Sequence, residues 1–367
     1  VAQCVIPLLI RDLQIATSSI TIVDFVDNRH RVADAIKQGV KYEIGQVTRE
    51  NLDSFLAERL AAGDILLDLA WNIDCPTILE WCRMRGVRYL NTSVELWDPY
   101  YDMAKTHPLD RTLYVRHQSI RKMVAKWGSN KGPSAVVEHG ANPGLVSHFA
   151  KQALFEISNK ILNDGRAGSR QSAIESALAS ESFDRLAMLT GTRVIHISER
   201  DTQITNQPKE VNEFVNTWSV DGFVGEGCQP AELGWGTHEK KLPPNGHAFD
   251  HGPGYAIWIN RPGADTRVRS WCPGAGPQFG YVVTHNEALS IPDYYTVWEQ
   301  GRAVYRPTCH YAYHPSNDAI LSMHEMNGAG KRQPEQHILM ADEIIAGGDD
   351  LGVFLYGHAK GAMWYGS

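Results

Sequence analysis

The sequence has no long hydrophobic run and no basic tract. Its apolar stretches all fall well short of the roughly 20 residues that a membrane-spanning helix requires. The 35 Lys and Arg residues are scattered and are outnumbered by 42 Asp and Glu residues, which gives a formal net charge of −7. These absences exclude a membrane-spanning protein and argue against nucleic acid as a partner, whereas they permit a cationic small molecule.

Cysteine is scarce and shows no recognisable pattern. The six cysteines form no Cys-x-x-Cys pair and no ladder of spacings, so we expect a reduced, cytoplasmic protein. The chain has no internal repeat, and it begins with neither methionine nor a basic signal region. We therefore expect an N-terminal element to precede Val1 in the natural protein.

The first 140 residues alternate between helical and strand patterns. Helices are predicted at 5–13, 29–39, 48–62 and 76–85, and strands at 19–24, 42–47, 64–69, 87–90 and 135–138. Strands separated by helices of roughly 10 to 15 residues need right-handed crossovers, and therefore a parallel sheet with helices on both faces. The sequence thus predicts an α/β fold, with a Rossmann-like, doubly wound parallel sheet over residues 1–142.

The pattern changes after the turn at 140–144. Residues 163–180 are rich in Gly, Ser and Ala, which is typical of a mobile loop or a helix pair. Further strands, separated by Gly and Pro turns, are predicted at 194–197, 214–220, 255–259, 268–271, 281–284 and 303–307. We expect an α+β second domain with a largely antiparallel sheet over 143–320, and a C-terminal segment, 321–367, that packs back on the first domain.

Acidic residues end the first predicted strand. Asp24 closes it, and Asp27 follows three residues later. In a doubly wound nucleotide fold, an acid at this position accepts hydrogen bonds from the adenosine ribose and repels a 2′-phosphate, which favours NAD over NADP. The alternative is that Asp24 only forms a turn. The glycine-rich phosphate loop, expected about 20 residues earlier, would fall at or before Val1.

Polar residues also follow the third and fourth strands of the predicted sheet. Asn72 and Asp74 come directly after the strand at 64–69, and Thr92 and Ser93 after the strand at 87–90. Ligands of open α/β sheets bind at the carboxyl ends of the parallel strands. These residues therefore strengthen the prediction of a nucleotide site.

The second half concentrates carboxylates beside an indole. Glu199, Trp218, Glu226, His285 and Glu287 all lie at or just past the ends of predicted strands. Carboxylates neutralise an ammonium group, and an indole face adds a cation–π energy of roughly 0.5 to 2 kcal/mol. Clustered carboxylates also raise one another's pKa, which suits general acid/base catalysis. The cluster is typical of a site for an amine or a diamine.

Each of these residues has a structural alternative. Trp218 could be a core or rim residue, and His285 and Glu287 could form a surface salt bridge on one face of a strand. A zinc site is conceivable among Cys309, His310, His314, His324 and Glu325. Because that group lacks a compact ligand spacing, a packing seam rich in Tyr and His is favoured and no metal is expected.

Seven longer motifs occur in one order along the chain. They are VDFVDN at 23–28, EHGANPG at 138–144, SERDTQ at 198–203, NTWSV at 216–220, the stretch 229–239, THNE at 284–287 and RPTCHY at 306–311. With these motifs the sequence, from its first residue to its last, resembles the bacterial homospermidine synthases, which are relatives of the saccharopine dehydrogenase-like oxidoreductases.

The resemblance implies a transferase that uses NAD as a resident redox cofactor. A terminal amine of putrescine is oxidised to an imine, a second putrescine displaces ammonia, and the new imine is reduced by the same NADH to sym-homospermidine. Such a cycle needs a closed site that protects the imine from water. The resemblance also implies a homodimer.

The resemblance assigns a role to each candidate residue. Trp218 would hold the aminobutyl cation and Glu226 a distal ammonium, while Glu199 and Glu287 would bind or deprotonate amines with His285 as proton partner. The remaining assignments are Asn142 between nicotinamide and substrate with Pro143 beside it, Asp74 at the mouth of the substrate pocket, Asp24 at the adenosine ribose, and Asn72, Thr92 and Ser93 along the NAD cleft.

Two other functions stay open at this point. A net NAD(P)-dependent dehydrogenase of the saccharopine or carboxynorspermidine type must bind a substrate carboxylate, and therefore needs Arg or Lys in a pocket that is here acidic and aromatic. A non-catalytic sensor of polyamines or nucleotides would bind an amine without turnover.

Overall fold

The computed structural model describes residues 2–97, 105–129, 131–330, 334–359 and 362–364. By its internal contacts the chain divides into two units. The first comprises Val1–Met103 and Gly128–Gly140, and the second comprises Ala104–Trp127 and Ala141–Ser367. Within the described ranges, no helix combines the length and the apolar character needed to cross a membrane.

The first unit contains short parallel strands and intervening helices. The helices are α1 (Ala2–Arg11), α2 (Ala33–Lys37), α3 (Leu52–Ala57) and α4 (Cys75–Arg85), with 3-10 turns at Thr17–Ser19 and Arg29–Val32. Strand β1 (Thr21–Asp24) pairs in parallel with β2 (Lys41–Ile44), and β4 (Arg88–Asn91) pairs in parallel with β3 (Ile65–Asp68) and β5 (Ala135–Val136). The prediction of a parallel, Rossmann-like sheet is confirmed.

Helix α4 shows how local sequence sets these elements. Asp74 accepts a hydrogen bond from the backbone N–H of Thr77 at 3.0 Å and so caps the first turn. Pro76 lies in that turn, where a missing N–H removes no intrahelical bond. Gly86 takes the left-handed conformation, with φ of 74°, that ends the helix.

The second unit is built from seven helices and fifteen strands among the described residues. The helices are α5 (Leu113–Lys126), α6 (Leu145–Asn163), α7 (Gln171–Ala179), α8 (Phe183–Thr190), α9 (Val220–Cys228), α10 (Glu287–Tyr294) and α11 (Asn317–Gly328), with 3-10 turns at Pro108–Arg111, Gly168–Arg170 and Gly263–Asp265. The strands are β6 (Thr192–Asp201), β7 (Ile204–Thr205), β8 (Glu213–Asn216), β9 (Pro230–Gly234), β10 (Gly246–Ala248), β11 (Ala256–Pro262), β12 (Arg267–Cys272), β13 (Gly276–Tyr281), β14 (Val297–Glu299), β15 (Arg302–Tyr305), β16 (Thr308–His314), β17 (Glu335–Ile338), β18 (Ile344–Ala346), β19 (Asp349–Ala359) and β20 (Ala362–Trp364).

A nine-stranded sheet forms the centre of this unit. Its main order is β10-β11-β9-β16-β6-β19-β20, with β13 pairing to β16 and β12 to β13. Only the β16–β6 pairing is parallel among the described strands of this sheet, so the predicted, largely antiparallel second sheet is confirmed. Because β6 and β16 run in the same direction, their carboxyl ends meet at one edge, and β19 begins at that edge beside β6.

A single large core supports this edge. Leu154 and Ile161 of α6 are fully buried, as are Ile195 and Ile197 of β6, and all four belong to one hydrophobic cluster. Burial of this kind contributes about 25 cal/mol per Å² of apolar surface. The strand ends that carry polar groups therefore project from a rigid, well-packed base.

The structure divides the chain differently from the boundaries expected at 142 and 320. Residues 104–127 belong to the second unit, although they lie within the first predicted domain. The described part of 321–367 also belongs to the second unit, because β19 pairs with β6 along most of its length. Both differences depend on contacts between residues far apart in sequence, which local patterns do not encode.

Several predicted elements also differ locally. The strand expected at 214–220 ends at Asn216, and Ser219 then caps α9 by accepting a hydrogen bond from the N–H of Gly222. The strand expected at 281–284 ends at Tyr281. Residues 163–180 contain α7, whose Ile174 is fully buried, so the helical alternative is the one observed.

Candidate functional site

The predicted cofactor-binding residues of the first unit lie at the carboxyl ends of its parallel strands. Asp24 is the last residue of β1, Asn72 and Asp74 follow β3, and Thr92 and Ser93 follow β4. This is the edge at which open α/β sheets bind ligands. Among the described strands, the β1–β2 pair and the β3–β4–β5 sheet are not hydrogen-bonded to each other, and within each of them parallel pairing brings the carboxyl ends of the strands to one side.

Asp24 forms a turn, as one of its two interpretations predicted. Its Oδ1 accepts a hydrogen bond from the N–H of Val26 at 3.1 Å, and its Oδ2 accepts one from Asn28 Nδ2 at 3.0 Å. A carboxylate has about four acceptor positions, so a ribose hydroxyl can still donate to it. Asp27 instead pairs with Arg29 at the surface, which makes Asp24 the better candidate.

Asn72 carries an unsatisfied polar atom. Its backbone has a positive φ of 56°, and its Oδ1 is buried without a hydrogen-bond partner. A buried acceptor without a partner costs about 1–3 kcal/mol, so a ligand hydroxyl or amide that donates to it would be stabilising. This oxygen, together with Asp24, fits a dinucleotide. By contrast, Asp74 caps α4 and Ser93 donates a hydrogen bond to Glu95 Oε1 at 2.7 Å.

The second unit brings Glu199 together with two polar partners. Glu199 lies near the carboxyl end of β6 and is only 9% exposed. Its Oε2 accepts hydrogen bonds from the Tyr311 hydroxyl at 2.7 Å and from Asn142 Nδ2, and Asn142 Nδ2 also lies 3.2 Å from the Tyr311 hydroxyl. The parallel register of β6 and β16, in which Glu199 is opposite Tyr313, places these side chains on one face.

His285 and Glu287 form a buried ion pair. They precede and begin α10, and are 8% and 2% exposed. The sequence alternative of a surface salt bridge on a strand is therefore wrong, because a helix begins at Glu287 and the core covers both side chains. Glu287 Oε1 also accepts a hydrogen bond from the N–H of Gly144 at 2.6 Å, which ties the pair to the Asn142 turn.

The charge of His285 is set by its acidic neighbours. Burial acts to lower the pKa of its imidazole, but the carboxylates of Glu287, Glu226 and Glu199 together raise the pKa to about 9. His285 is therefore an imidazolium at neutral pH. Glu226 lies within α9 and is half-buried, and its charge also contributes to raising the pKa of Tyr311.

Aromatic rings link this ion pair to Trp218. The His285 and Tyr311 rings are 4.2 Å apart, and Tyr311 is stacked with Tyr313 at 5.8 Å. Trp218, in the loop between β8 and α9, donates a hydrogen bond from Nε1 to the Tyr313 hydroxyl at 3.0 Å. The structure thus brings together Glu199, Asn142, His285, Glu287, Trp218 and, through its charge, Glu226.

Sequence reasoning missed three residues of this cluster. Tyr311 and Tyr313 lie two apart, a spacing typical of one face of a strand, but nothing in the local sequence assigns either of them a role in the site. Asp349 begins β19 opposite Asp201. Burial and the neighbouring Glu199 carboxylate raise the pKa of Asp349 to about 8.

The cluster is acidic and aromatic. Within the described residues, no Lys or Arg is among the hydrogen-bond or ion-pair partners of Glu199, His285 or Glu287. A site that recognises a substrate carboxylate needs such a cation. The arrangement therefore suits an amine more than an amino acid.

The conceivable zinc ligands are dispersed. Cys309 Sγ contacts the backbone oxygen of Glu287, the His310 ring lies 4.0 Å from the His196 ring in a tilted arrangement, and Glu325 pairs with Lys209. In the described part of the chain, no three His, Cys, Asp or Glu side chains are arranged to hold a metal ion.

Comparisons with known proteins agree along the whole chain. A family model described as the saccharopine dehydrogenase NADP binding domain matches residues 1–136, and one described as the saccharopine dehydrogenase C-terminal domain matches residues 140–367. The chain is 45% identical to the homospermidine synthase of Blastochloris viridis, over 99% of this chain and 74% of that protein. It is 43% identical to the homospermidine synthase of Mesorhizobium japonicum, over 99% and 73%.

A solved structure matches as well. The crystal structure of the homospermidine synthase of Legionella pneumophila in complex with NAD aligns with a TM-score of 0.80 at 33% identity. The alignment covers 99% of this chain and 73% of that one. Sequence and fold therefore point to the same group of proteins.

Proposed function

Because the chain belongs to the homospermidine synthases of the saccharopine dehydrogenase-like family, we propose that its acidic and aromatic cluster carries out aminobutyl transfer between two putrescine molecules. The products are sym-homospermidine and ammonia, so atoms balance without net oxidation. NAD, when bound, supplies a hydride acceptor for the first half of the reaction and a hydride donor for the second. The observation that carries the proposal is the buried Glu199–Tyr311–Asn142 group beside the His285–Glu287 pair.

We assign the cofactor to the strand ends of the first unit. Asp24 accepts hydrogen bonds from the adenosine ribose and repels a 2′-phosphate, so NAD is preferred, although the matching family model is described as NADP binding. The orphaned Asn72 oxygen takes a donor from the cofactor. The remaining proposed contacts are Thr92, Ser93, Asn142 and Pro143, which the family resemblance supports.

The substrate's ammonium groups are bound by the second unit. The Trp218 face holds the aminobutyl cation by a cation–π interaction, and Glu226 neutralises a distal ammonium. We propose Asp74 as a further substrate contact on the resemblance alone. Its observed hydrogen bonds cap α4.

Proton transfer is assigned to Glu199, His285 and Glu287. An ammonium carbon cannot release a hydride, so the amine must first lose a proton to a base. Glu199, with its Oε2 oriented by Tyr311 and Asn142, lies ready to accept it. The His285 imidazolium, held by Glu287, is the acid that protonates departing ammonia.

The test is a product assay on the full-length protein. Putrescine is incubated with a trace of NAD, the amines are separated by chromatography, and NADH absorbance is followed. We expect homospermidine and ammonia in excess of NAD, with no lasting NADH. Stoichiometric NADH without homospermidine would identify a net dehydrogenase instead, and tight amine binding without turnover a sensor.

We further propose that the protein acts as a homodimer in the cytoplasm. The family resemblance supports the dimer. Six free thiols, all within the described residues, are consistent with a reducing compartment. Light scattering of the eluted full-length protein tests the dimer, and a monomer mass would contradict it.

A further inference from the structure

A buried carboxylate joins the start of α5 to the segment before His285. Glu232, on β9, is completely buried. Its two oxygens accept hydrogen bonds from the N–H groups of Leu113 at 2.9 Å and Tyr114 at 3.0 Å, and Oε2 also accepts one from the Thr284 hydroxyl at 2.5 Å. A negative charge is favourable at a helix N-terminus. One carboxylate thus fixes both the first turn of α5 and Thr284.

The next turn of α5 holds the same segment from the other side. His117 lies one helical turn after Leu113, and its Nε2 is 2.7 Å from Asn286 Oδ1. Burial lowers the pKa of His117, so its imidazole is neutral at pH 7 and Nε2–H donates to the amide oxygen. Asn286 lies between His285 and Glu287, and it is the residue that precedes the first turn of α10.

A third contact keeps α5 in place along α10. Arg121, one further turn along, forms an ion pair with Asp293 near the end of α10. On another face of α5, Gln118 donates a hydrogen bond to the Tyr255 hydroxyl at 3.0 Å. The helix is thus held at successive turns. It reaches Asn286 directly and Thr284 through Glu232, and these two residues alternate with the ion-paired residues His285 and Glu287.

We propose that Glu232 and His117 are positioning residues that hold the His285–Glu287 pair in the geometry needed for proton transfer. The inference rests on the proposed function for its catalytic meaning. Glu232 is bonded to Thr284 and His117 to Asn286, so each acts through the neighbour of the pair that it holds. Helix α5 thereby fixes the position of the acid/base group of the second unit.

The first test replaces His117 by Ala and by Gln in the full-length protein. Gln keeps an N–H donor near the position of Nε2, whereas Ala removes it. We expect kcat to fall about tenfold in the Ala variant, a part of the 10²–10⁴ that an acid/base group contributes, with KM for putrescine little changed. The Gln variant should regain most of the loss. A matched control is Gln118→Ala, which removes a different α5 contact.

The second readout does not need activity. The carboxylates that act on His285 are Glu287 on α10, Glu226 on α9 and Glu199 on β6, and the ring of Tyr311 on β16 packs against its imidazole. When the pair is misaligned, its carboxylate stabilises the imidazolium less. We therefore expect the pKa of His285, followed by NMR, to fall from about 9 towards ~8 in His117→Ala, and to stay unchanged in Gln118→Ala.

The outcomes separate this inference from the proposed function. Suppose that the wild-type protein makes no homospermidine but the pKa of His285 still falls in His117→Ala. The proposed reaction is then refuted, whereas the positioning role of His117 is supported. If His117→Ala lowers only the melting temperature, with kcat and the pKa of His285 unchanged, α5 is merely structural and the inference is overturned. Glu232→Gln, which turns an amide donor towards a backbone N–H, should reproduce the His117→Ala result more strongly.

Discussion

Replacing Glu287 by Gln should return the pKa of His285 towards its ordinary value. In the folded protein, burial opposes the imidazolium, and the charge of Glu287 contributes most to outweighing that effect. Gln keeps the size of the side chain and can still accept the hydrogen bond from Gly144, but it removes the charge. The variant therefore isolates electrostatics from packing.

The magnitude follows from the difference in pKa. A value of about 9 against an ordinary 6.5 corresponds to about 3 kcal/mol in favour of the imidazolium. Because the folded pKa is raised, this stabilisation is complete below pH 6.5, declines as pH increases, and is lost above about 9. The free energy of unfolding of the wild-type protein should accordingly fall across this window, and that of the variant should fall much less.

The measurement compares the two proteins at matched pH. Denaturant unfolding between pH 6 and 9.5 gives the difference in free energy, and NMR titration gives the pKa of His285. Asp349 adds its own pH dependence in both proteins, so only the difference is interpreted. Glu299→Gln is the control, since Glu299 pairs with Arg185 at the surface and involves no histidine. Equal pH slopes in wild type and Glu287→Gln would refute the reasoning.

Three further predictions concern ligands. Trp218→Phe should keep most activity and Trp218→Glu should abolish it, because the ring face binds the cation. Equal steady-state rates for the two variants would contradict this. Glu226→Gln should raise KM for putrescine about tenfold, or about 1.4 kcal/mol, while isothermal titration shows an unchanged Kd for NAD; the reverse pattern would move Glu226 out of the substrate site. Asp24→Asn should improve binding of NADP relative to NAD by about tenfold. Asp27→Asn is the control. Because the Asp27 carboxylate pairs with Arg29, this variant should leave the preference between NAD and NADP unchanged.

The parallel sheet and most candidate residues were predictable from local sequence. Hydrophobic periodicity with polar residues at strand ends is sufficient to locate Asp24, Asn72 and Glu199, because these features depend on neighbours in the chain. The strand β16 was not predictable in this way. Nearly all of its residues are buried on both faces, so it lacks the two-residue alternation that identifies a half-buried strand.

The missed members of the site depend on long-range pairing. Tyr311 reaches Glu199 across 112 residues, and Glu232 reaches Tyr114 across 118. Such contacts depend on the register between whole strands. That register is set by burial of one hydrophobic face of each strand, and not by neighbours in the chain. Helix α5 was not among the predicted helices, and its membership of the second unit could not be predicted for the same reason.

Charge balance gives a physical reason why this site suits a diamine. The carboxylates of Glu287, Glu226 and Glu199 all act on the His285 imidazolium, and Glu199 also helps to raise the pKa of Asp349. Carboxylates therefore outnumber the one imidazolium in this cluster, and burying an excess of negative charge is unfavourable unless cations balance it. Doubly protonated putrescine carries two positive charges separated by an apolar chain, which the Tyr311, Tyr313 and Trp218 rings can cover. The same excess of acid disfavours a substrate carboxylate, so one feature selects for the diamine and against the amino-acid substrates of a net dehydrogenase.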